Sequence, residues 1–171
     1  VHGSTQAQTL RREDGKWRIE VPGGASVLAD QVLLATNGYT DDLWPGLERE
    51  VISTNSYQAA TRPLPAAIRA RILPGGQAAS DTRRVLLYYR LDRDGRFIIG
   101  GRGTATDEPS PPLFEKLRQA ARAIYPQLAE VEWGNHWSGR VCFTTDHLPH
   151  LIELAPGLTA ALGYQGRGVA M

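Results

Sequence analysis

The residues best suited to chemistry lie in the last nine positions, Gly-Tyr-Gln-Gly-Arg-Gly-Val-Ala-Met. Gly163, Gly166 and Gly168 have no side chains, so their backbone can approach a flat ring or a phosphate closely. Arg167 adds positive charge, although a solvated arginine fits its position equally well. A helix that began here would direct its positive end at a ligand. The same glycines also fit a surface hairpin or a helix cap, so both interpretations stay open.

A second candidate segment is a continuous apolar run, Asp30-Gln31-Val32-Leu33-Leu34, that ends on the residues Ala35-Thr36-Asn37-Gly38. An apolar run without polar alternation predicts a strand buried on both faces, as in a parallel sheet whose carboxyl edge meets a ligand. The small side chains that follow would allow a ligand to come close. A plain exit from strand to loop is the alternative interpretation.

Four aromatic residues could line a ligand cleft: Tyr57, Tyr88, Tyr89 and Trp137. Packing in a core, or exposure on a strand, is the alternative for each. Strand alternation separates Tyr88 and Arg90 from a second set, Leu87, Tyr89 and Leu91. We expect the second set to be the packed face and the face with Tyr88 and Arg90 to make polar contacts.

Composition and charge exclude several functions. The net charge is +1, with 19 basic and 18 acidic residues and no long block of one sign, which argues against nucleic acid or an anionic membrane surface as partner. The single cysteine, Cys142, excludes an internal disulfide. No apolar run has the length of a membrane span or a signal sequence. We therefore expect a soluble, cytoplasmic protein that acts on a small molecule.

His147 and His150 flank Pro149 in a predicted turn. No metal-ligand spacing surrounds them, so we expect both histidines to be structural. The sequence contains no Ser-His-Asp, paired-carboxylate or metal pattern that indicates hydrolytic or metal chemistry.

The elements that must position these residues are mostly short strands. Turn sequences separate the first of them and predict an antiparallel meander, with strands at Thr5–Leu10, Trp17–Val21 and Val27–Leu28. Further strands are predicted at Ser56–Thr61, Val85–Leu91, Arg96–Gly100, Trp133–Phe143 and Leu158–Leu162. One helix begins at Ser110-Pro111-Pro112 and ends before Pro126, with apolar residues at helical spacing. The order of elements suggests two interleaved domains.

Four segments in this order resemble the C-terminal part of the FAD-dependent amine and amino-acid oxidase family, which includes D-amino-acid, glycine and sarcosine oxidases and γ-glutamylputrescine oxidoreductase. The segments are ADQVLLATNGYT, VLLYYRLDRDGRFIIGG, WSGRVCFTTDHLPHL and GYQGRGVAM. The family's opening Gly-x-Gly-x-x-Gly motif, which holds the FAD pyrophosphate at a helix N-terminus, does not occur in this sequence. We call residues 163–168 the glycine turn. Because the chain starts at Val1 and stops shortly after this turn, we expect a piece of a longer protein.

The resemblance implies an α+β fold. It consists of an antiparallel or mixed β-sheet substrate domain with one main helix, plus strands left over from an α/β FAD-binding domain. The implied limits are a remnant of the FAD-binding domain at 1–42, the substrate domain at 43–150 and a return to the FAD-binding domain at 151–171.

The resemblance also implies FAD as cofactor of the full-length parent, held weakly or not at all by this chain alone. The implied cofactor-binding residues are Ala35, Thr36, Asn37, Gly38, Gly163, Tyr164, Gly166, Arg167, Gly168 and Val169. Substrate-binding residues are expected at Tyr57, Tyr88, Arg90 and Trp137. Sarcosine oxidases tether flavin through a cysteine in a broadly similar region, but we interpret Cys142 as a small buried strand residue.

The substrate class follows from one departure from the family pattern. Glycine-oxidase-type enzymes resemble Trp-x-Gly-x-Arg-Pro-x-Thr-x-Asp, in which the arginine grips the substrate carboxylate. Here Val141 stands at the matching position, and Arg140 lies one residue away, on the opposite face of a strand. The resemblance then favours an amine without a carboxylate beside the reacting carbon, as in the γ-glutamylputrescine branch. The implied reaction is hydride transfer from the C–H beside a neutral amine to flavin.

A different class of function stays open. The chain fits a non-catalytic binding or accessory module, or one part of a split amino-acid oxidase, inactive on its own. Its partner would then be the missing N-terminal dinucleotide-binding region.

Overall fold

The computed structural model describes residues 1–83, 85–103 and 110–170. The chain divides into two compact units: unit 1 is Val1–Ser53 with Val141–Met171, and unit 2 is Thr54–Arg140. Unit 1 is discontinuous in sequence, so the chain leaves it and returns. The domain limits expected from the sequence, at 42/43 and 150/151, stay a prediction. No helix within the described ranges is long and apolar enough to cross a membrane.

Unit 1 begins with the predicted meander. Strands β1 (Thr9–Glu13), β2 (Lys16–Glu20) and β3 (Ser26–Ala29) form an antiparallel sheet in that order. The first strand starts later than the predicted Thr5. Asp14 and Gly15 turn the chain with positive φ values of 48° and 80°, and a turn of this kind suits these two residue types.

The second sheet of unit 1 contains the predicted parallel pair. Its order is β10 (His150–Ala155), β11 (Leu158–Leu162) and β4 (Val32–Leu34), and β4 runs parallel to β11. Strand β11 is buried, as predicted from its apolar run. Trp17 packs with Leu34 and Leu158 in the core of this unit. The indole N–H of Trp17 also donates to the carbonyl of Pro156 at 3.2 Å.

The prediction that the first apolar run is buried on both faces was wrong. Leu34 is 8% exposed but Leu33 is 61% exposed. Neighbouring strand residues point to opposite faces, and only the Leu34 face packs on the core of unit 1. This strand therefore has one buried face, which contains Leu34, and one exposed face, which contains Leu33.

Unit 2 is built on a five-stranded sheet with the order β6-β7-β8-β5-β9. The strands are β5 (Ile52–Thr61), β6 (Ala78–Ser80), β7 (Leu87–Leu91), β8 (Phe97–Arg102) and β9 (Trp133–Phe143). The predicted hairpin is confirmed as the antiparallel β7 and β8 pair, with Leu91 opposite Phe97. β5 lies antiparallel to β8 on its other side.

A helix covers one face of this sheet. Helix α2 (Pro111–Ile124) follows the short helix α1 (Ala66–Arg69) and begins and ends where the sequence predicted. Ser110 occupies the N-cap position without a side-chain cap hydrogen bond; its carbonyl accepts the N–H of Leu113 at 2.9 Å. Phe114, Leu117 and Ala121 are the buried residues of α2. Short 3-10 helices occur at Asn37–Tyr39, Leu47–Glu50, Pro126–Leu128 and Gly168–Ala170.

The covered face carries the core of unit 2. Phe97 and Ile99 are fully buried there, and Leu87, Tyr89 and Leu91 pack against them. The predicted division of the β7 side chains between two faces is therefore confirmed. The α+β fold class, with mixed and antiparallel sheets and one main helix, is also confirmed.

Candidate functional site

Asn37 joins two of the segments singled out in the sequence. Its side-chain Oδ1 accepts the backbone N–H of Gly163 at 3.1 Å and that of Tyr164 at 3.5 Å. The thiol of Cys142 donates to the same oxygen at 2.8 Å. We call these four residues the asparagine junction. It brings the small-residue end of β4 against the start of the glycine turn, although these lie 126 residues apart in sequence.

The local backbone explains why asparagine suits this position. Asn37 has φ of +49°, in the left-handed region that asparagine tolerates better than most residues. The Thr40 hydroxyl donates to the Asn37 carbonyl at 2.8 Å and lies 2.8 Å from the Thr36 hydroxyl. The Gly38 carbonyl accepts the Ser53 hydroxyl at 2.9 Å. These contacts therefore fix the backbone from which the Asn37 side chain extends.

Cys142 is a buried partner of this junction. Its side chain is 0% exposed, and burial raises the pKa of the thiol. The thiol therefore stays protonated near neutral pH and can donate its hydrogen to Asn37. This position agrees with the interpretation of Cys142 as a small buried strand residue.

The glycine turn is hydrogen-bonded to residues at and just after the end of β9. Gly163 has φ of +80°, and a Cβ at this position would lie 2.4 Å from Cγ2 of Thr144. The Gln165 amide donates to the Thr144 hydroxyl at 2.8 Å and to the Gly163 carbonyl at 3.0 Å. Its backbone N–H donates to the Cys142 carbonyl at 3.2 Å. Sequence reasoning missed Thr144 and Gln165 because neither belongs to a catalytic residue pattern.

Asp146 orders the loop that follows Thr144. Its carboxylate accepts the Leu148 N–H at 3.0 Å and lies 3.0 Å from Nε2 of His150. These contacts, led by the Leu148 N–H, lower the pKa of Asp146 to about 2. His150 thus contacts a carboxylate in this loop. In the ranges that the structure describes, no group of three or more His, Cys, Asp or Glu side chains could hold a metal ion.

The low pKa of Asp146 has a consequence for stability. The folded-state pKa of about 2 lies below the ordinary 3.8, so the folded form gains stability above the ordinary value and loses it as pH falls toward 2. We expect Asp146→Asn to lose less stability than the unchanged chain between pH 4 and pH 2, measured by urea unfolding. The exposed Asp42 provides the control, and Asp42→Asn should leave the acid slope unchanged. An equal slope for Asp146→Asn would contradict the assignment.

Beyond the junction, the turn is open. Gly166 has φ of +76° and nothing within 4 Å of a Cβ position. Gly166, Arg167, Gly168 and Val169 are all exposed, and no described backbone carbonyl accepts the N–H of Gly166, Gly168 or Val169. The helix expected after the turn is a three-residue 3-10 helix, Gly168–Ala170, and Met171 lies outside the described residues.

The open part of the glycine turn has the properties that a flavin-binding surface needs. A flat ring needs a surface without side chains and donors for the negative charge of its reduced form. The open backbone at Gly166 offers the first, and the three N–H groups offer the second. Oε1 of Gln165 is in addition buried without a hydrogen-bond partner among the described atoms. The residues present therefore fit a flavin.

The predicted substrate residues lie in unit 2, and the structure divides them between two faces of the sheet. Tyr57 is 2% exposed and packs edge-on against Phe114, with ring centroids 5.5 Å apart. A Cβ on Gly103 would lie 1.6 Å from the Tyr57 ring, so the ring occupies the space that this glycine leaves. Tyr57 is thus a core residue of the covered face, and its assignment to a substrate cleft with Tyr88 was wrong.

Tyr88 and Arg90 lie on the face opposite the core. The Tyr88 hydroxyl is 2.6 Å from Oγ of Ser56, and Arg90 is exposed. Trp137 is 41% exposed. Its neighbour His136 contacts Phe114 on the covered side, with ring centroids 4.3 Å apart.

Arg140 and Val141 are consecutive in β9, which continues through both. Consecutive side chains in a strand point to opposite faces. This geometry agrees with the expectation that the Arg140 side chain does not occupy the place of a side chain at position 141.

The chain matches known proteins over its whole length. A family model described as "FAD dependent oxidoreductase" matches residues 1–171. A "Probable oxidoreductase OrdL" of Rhizobium meliloti is 34% identical over 171 residues, which are 100% of this chain and 39% of that protein. The gamma-glutamylputrescine oxidoreductase of Escherichia coli is 28% identical over 145 residues, which are 84% of this chain and 34% of that protein.

Solved structures share the fold. A glycine oxidase from Bacillus cereus has a TM-score of 0.75 at 21% identity, over 96% of this chain and 45% of that one. An iminodiacetate oxidase from Chelativorans has a TM-score of 0.76 at 20% identity, over 94% of this chain and 44% of that one. The chain thus spans less than half the length of the relatives it matches. The match of the family model to residues 1–171 places the chain in the FAD-dependent oxidoreductase family.

Proposed function

We propose that this chain contributes flavin contacts and the substrate-binding sheet to an FAD-dependent enzyme that oxidises a C–N bond of an amine. The asparagine junction is the observation that carries the proposal. It fixes two separate small-residue segments against each other and leaves the open turn after Tyr164 available to a ring. A surface hairpin alone would not require a half-buried amide that accepts two backbone N–H groups and a thiol.

The flavin-facing residues have defined tasks in this proposal. FAD, when bound, supplies the hydride acceptor for the C–H beside the amine nitrogen. The N–H groups of Gly166, Gly168 and Val169 would stabilise negative charge on a bound flavin, and Arg167 would add a positive charge nearby. Asn37 positions the turn and does not react. Catalysis by orientation and electrostatics explains why no acid–base triad occurs in the sequence.

The substrate class rests on Val141. An α-amino acid needs a cation for its carboxylate, and Val141 stands where glycine-oxidase-type sequences have an arginine. An amine without that carboxylate needs no such partner. The Escherichia coli relative is named for gamma-glutamylputrescine, in which the putrescine carbons beside nitrogen carry no carboxylate, and this supports the same substrate class here.

A non-catalytic binding module is the second candidate. It is favoured by the absence from these 171 residues of a Gly-x-Gly-x-x-Gly motif that would hold a pyrophosphate. Such a module, or one part of a split oxidase, would hold FAD only together with a dinucleotide-binding region.

The test is the visible spectrum of the purified protein. We expect the 171-residue chain to lack flavin absorbance, and a version extended by the coding region upstream to carry it. Under anaerobic conditions, γ-glutamylputrescine should bleach the extended protein, and α-amino acids should do so at least about tenfold more slowly, a difference of about 1.4 kcal/mol. Absence of flavin from the extended protein would refute the oxidase proposal. Faster bleaching by α-amino acids would refute the substrate class.

A further inference from the structure

The uncovered face of the unit 2 sheet has a regular arrangement around one arginine. Arg90 on β7 lies opposite Ala78 of β6 and Ile98 of β8. In the next row, Tyr88 lies opposite Ser80 and Gly100. Side chains in matched positions of adjacent strands share a face. The small residue Ala78 therefore leaves space beside the guanidinium group of Arg90.

This space is a shallow pocket of about 90 Å³, lined by Gln58, Ala78, Tyr88, Arg90 and Ile98. The pocket is open to solvent on one side, and a carboxylate group with its attached carbon is small enough to enter it.

Tyr88 forms one wall of the pocket. Its ring lies on Gly100, where a Cβ would be 2.3 Å from the ring. Its hydroxyl is engaged with Ser56 at 2.6 Å. Ser56 on β5 and Gly100 on β8 therefore hold the Tyr88 ring in place, and Tyr88 limits the pocket on this side without offering its hydroxyl to a ligand.

The charge of the pocket comes from Arg90. Arg96 of the same hairpin contacts the carboxylates of Asp92 and Asp94. Among the described residues, no carboxylate forms an ion pair with Arg90. The Gln58 side chain adds an amide to the same pocket. The pocket therefore offers two polar groups to a ligand, the guanidinium of Arg90, which has several N–H donors, and the side-chain amide of Gln58.

We propose that this pocket binds a carboxylate group of the amine substrate, with Arg90 as its bidentate partner. The inference rests on the proposed function and adds to it a second recognition element on the substrate. A guanidinium matches a carboxylate in shape and charge, and Gln58 can donate to a remaining carboxylate oxygen. The substrate is then an amine that carries a carboxylate away from the carbon that is oxidised.

The test compares two probes that differ only in the carboxylate. These are γ-glutamylputrescine and 4-aminobutanoylputrescine, each titrated into the isotope-labelled 171-residue chain and followed by NMR. We expect γ-glutamylputrescine to shift the Arg90 side-chain N–H signal and to bind about threefold more tightly, since solvent weakens an ion pair with an exposed guanidinium. In Arg90→Gln this preference should disappear, and in Arg90→Lys it should be partly kept.

Arg93→Gln is the matched control. Arg93 is exposed in the turn of the same hairpin and lies outside the pocket, so its replacement removes one charge and should keep the preference. Equal affinity of the unchanged chain for both probes, or the same loss in Arg93→Gln as in Arg90→Gln, would overturn the inference. The titration needs no flavin. A carboxylate preference in a protein whose flavin no amine reduces would therefore support the pocket and refute only the oxidase proposal.

Discussion

Replacing Gly163 by alanine is expected to reduce the free energy of unfolding of unit 1 by about 3 kcal/mol. Gly163 has φ of +80°, and its Cβ would lie 2.4 Å from Cγ2 of Thr144 and 3.3 Å from the Leu148 carbonyl oxygen. The left-handed backbone costs an alanine roughly 1–2 kcal/mol, and crowding in a packed site costs about 1–3 kcal/mol. Urea unfolding with an unchanged denaturant slope measures the effect.

Gly166→Ala is the matched control for the Gly163 variant. Gly166 has nearly the same backbone, with φ of +76°, but nothing lies within 4 Å of its Cβ position. Only the conformational cost then applies, so we expect a loss of about 1 kcal/mol. Equal losses for the two variants would show that the contact with Thr144 does not restrict this position.

Removal of the Asn37 side chain is expected to have a comparable effect. In Asn37→Ala, the N–H groups of Gly163 and Tyr164 and the thiol of Cys142 lose their common acceptor. A buried donor without a partner costs about 1–3 kcal/mol, and alanine is also disfavoured at φ of +49°. We expect a loss of about 3 kcal/mol in urea unfolding, with faster hydrogen exchange at Gly163 and Tyr164.

Two further replacements of Asn37 separate these causes. Asn37→Asp keeps an acceptor and tolerates the left-handed backbone, so it should lose about 1 kcal/mol or less. Asn37→Gly removes the cost of the left-handed backbone but also removes the acceptor, so we expect the free energy of unfolding to fall by about 2 kcal/mol. If Asn37→Ala and Asn37→Asp unfold alike, the junction does not stabilise the turn. In the flavin-containing protein, the same order should hold for flavin retention.

Local patterns predicted much of the fold. Alternation in β7 correctly separated Tyr88 and Arg90 from the packed residues, because a strand sends neighbouring side chains to opposite faces whatever its surroundings. Helix α2 began and ended as predicted, because proline suits the first turn of a helix and interrupts its interior. These rules depend on residues that are close in sequence.

Burial on a particular face required the structure. Leu33 and Tyr57 have residue types that suit a core, yet Leu33 is 61% exposed and Tyr57 is 2% exposed. Their own sequence neighbourhoods do not say which face another element will cover. Tyr57 is buried because Phe114 of α2 packs against it, and Leu33 is exposed because the core of unit 1 forms on the Leu34 side.

The sequence by itself determined the strands, the main helix, the glycine turn and the family resemblance, since each depends on residue types at short spacing. Only the tertiary structure decided that Asn37 holds Gly163 across 126 residues and that Arg90 lies beside a pocket. A hydrogen bond between distant segments depends on the register of strands and on which faces pack, and no local pattern contains that information.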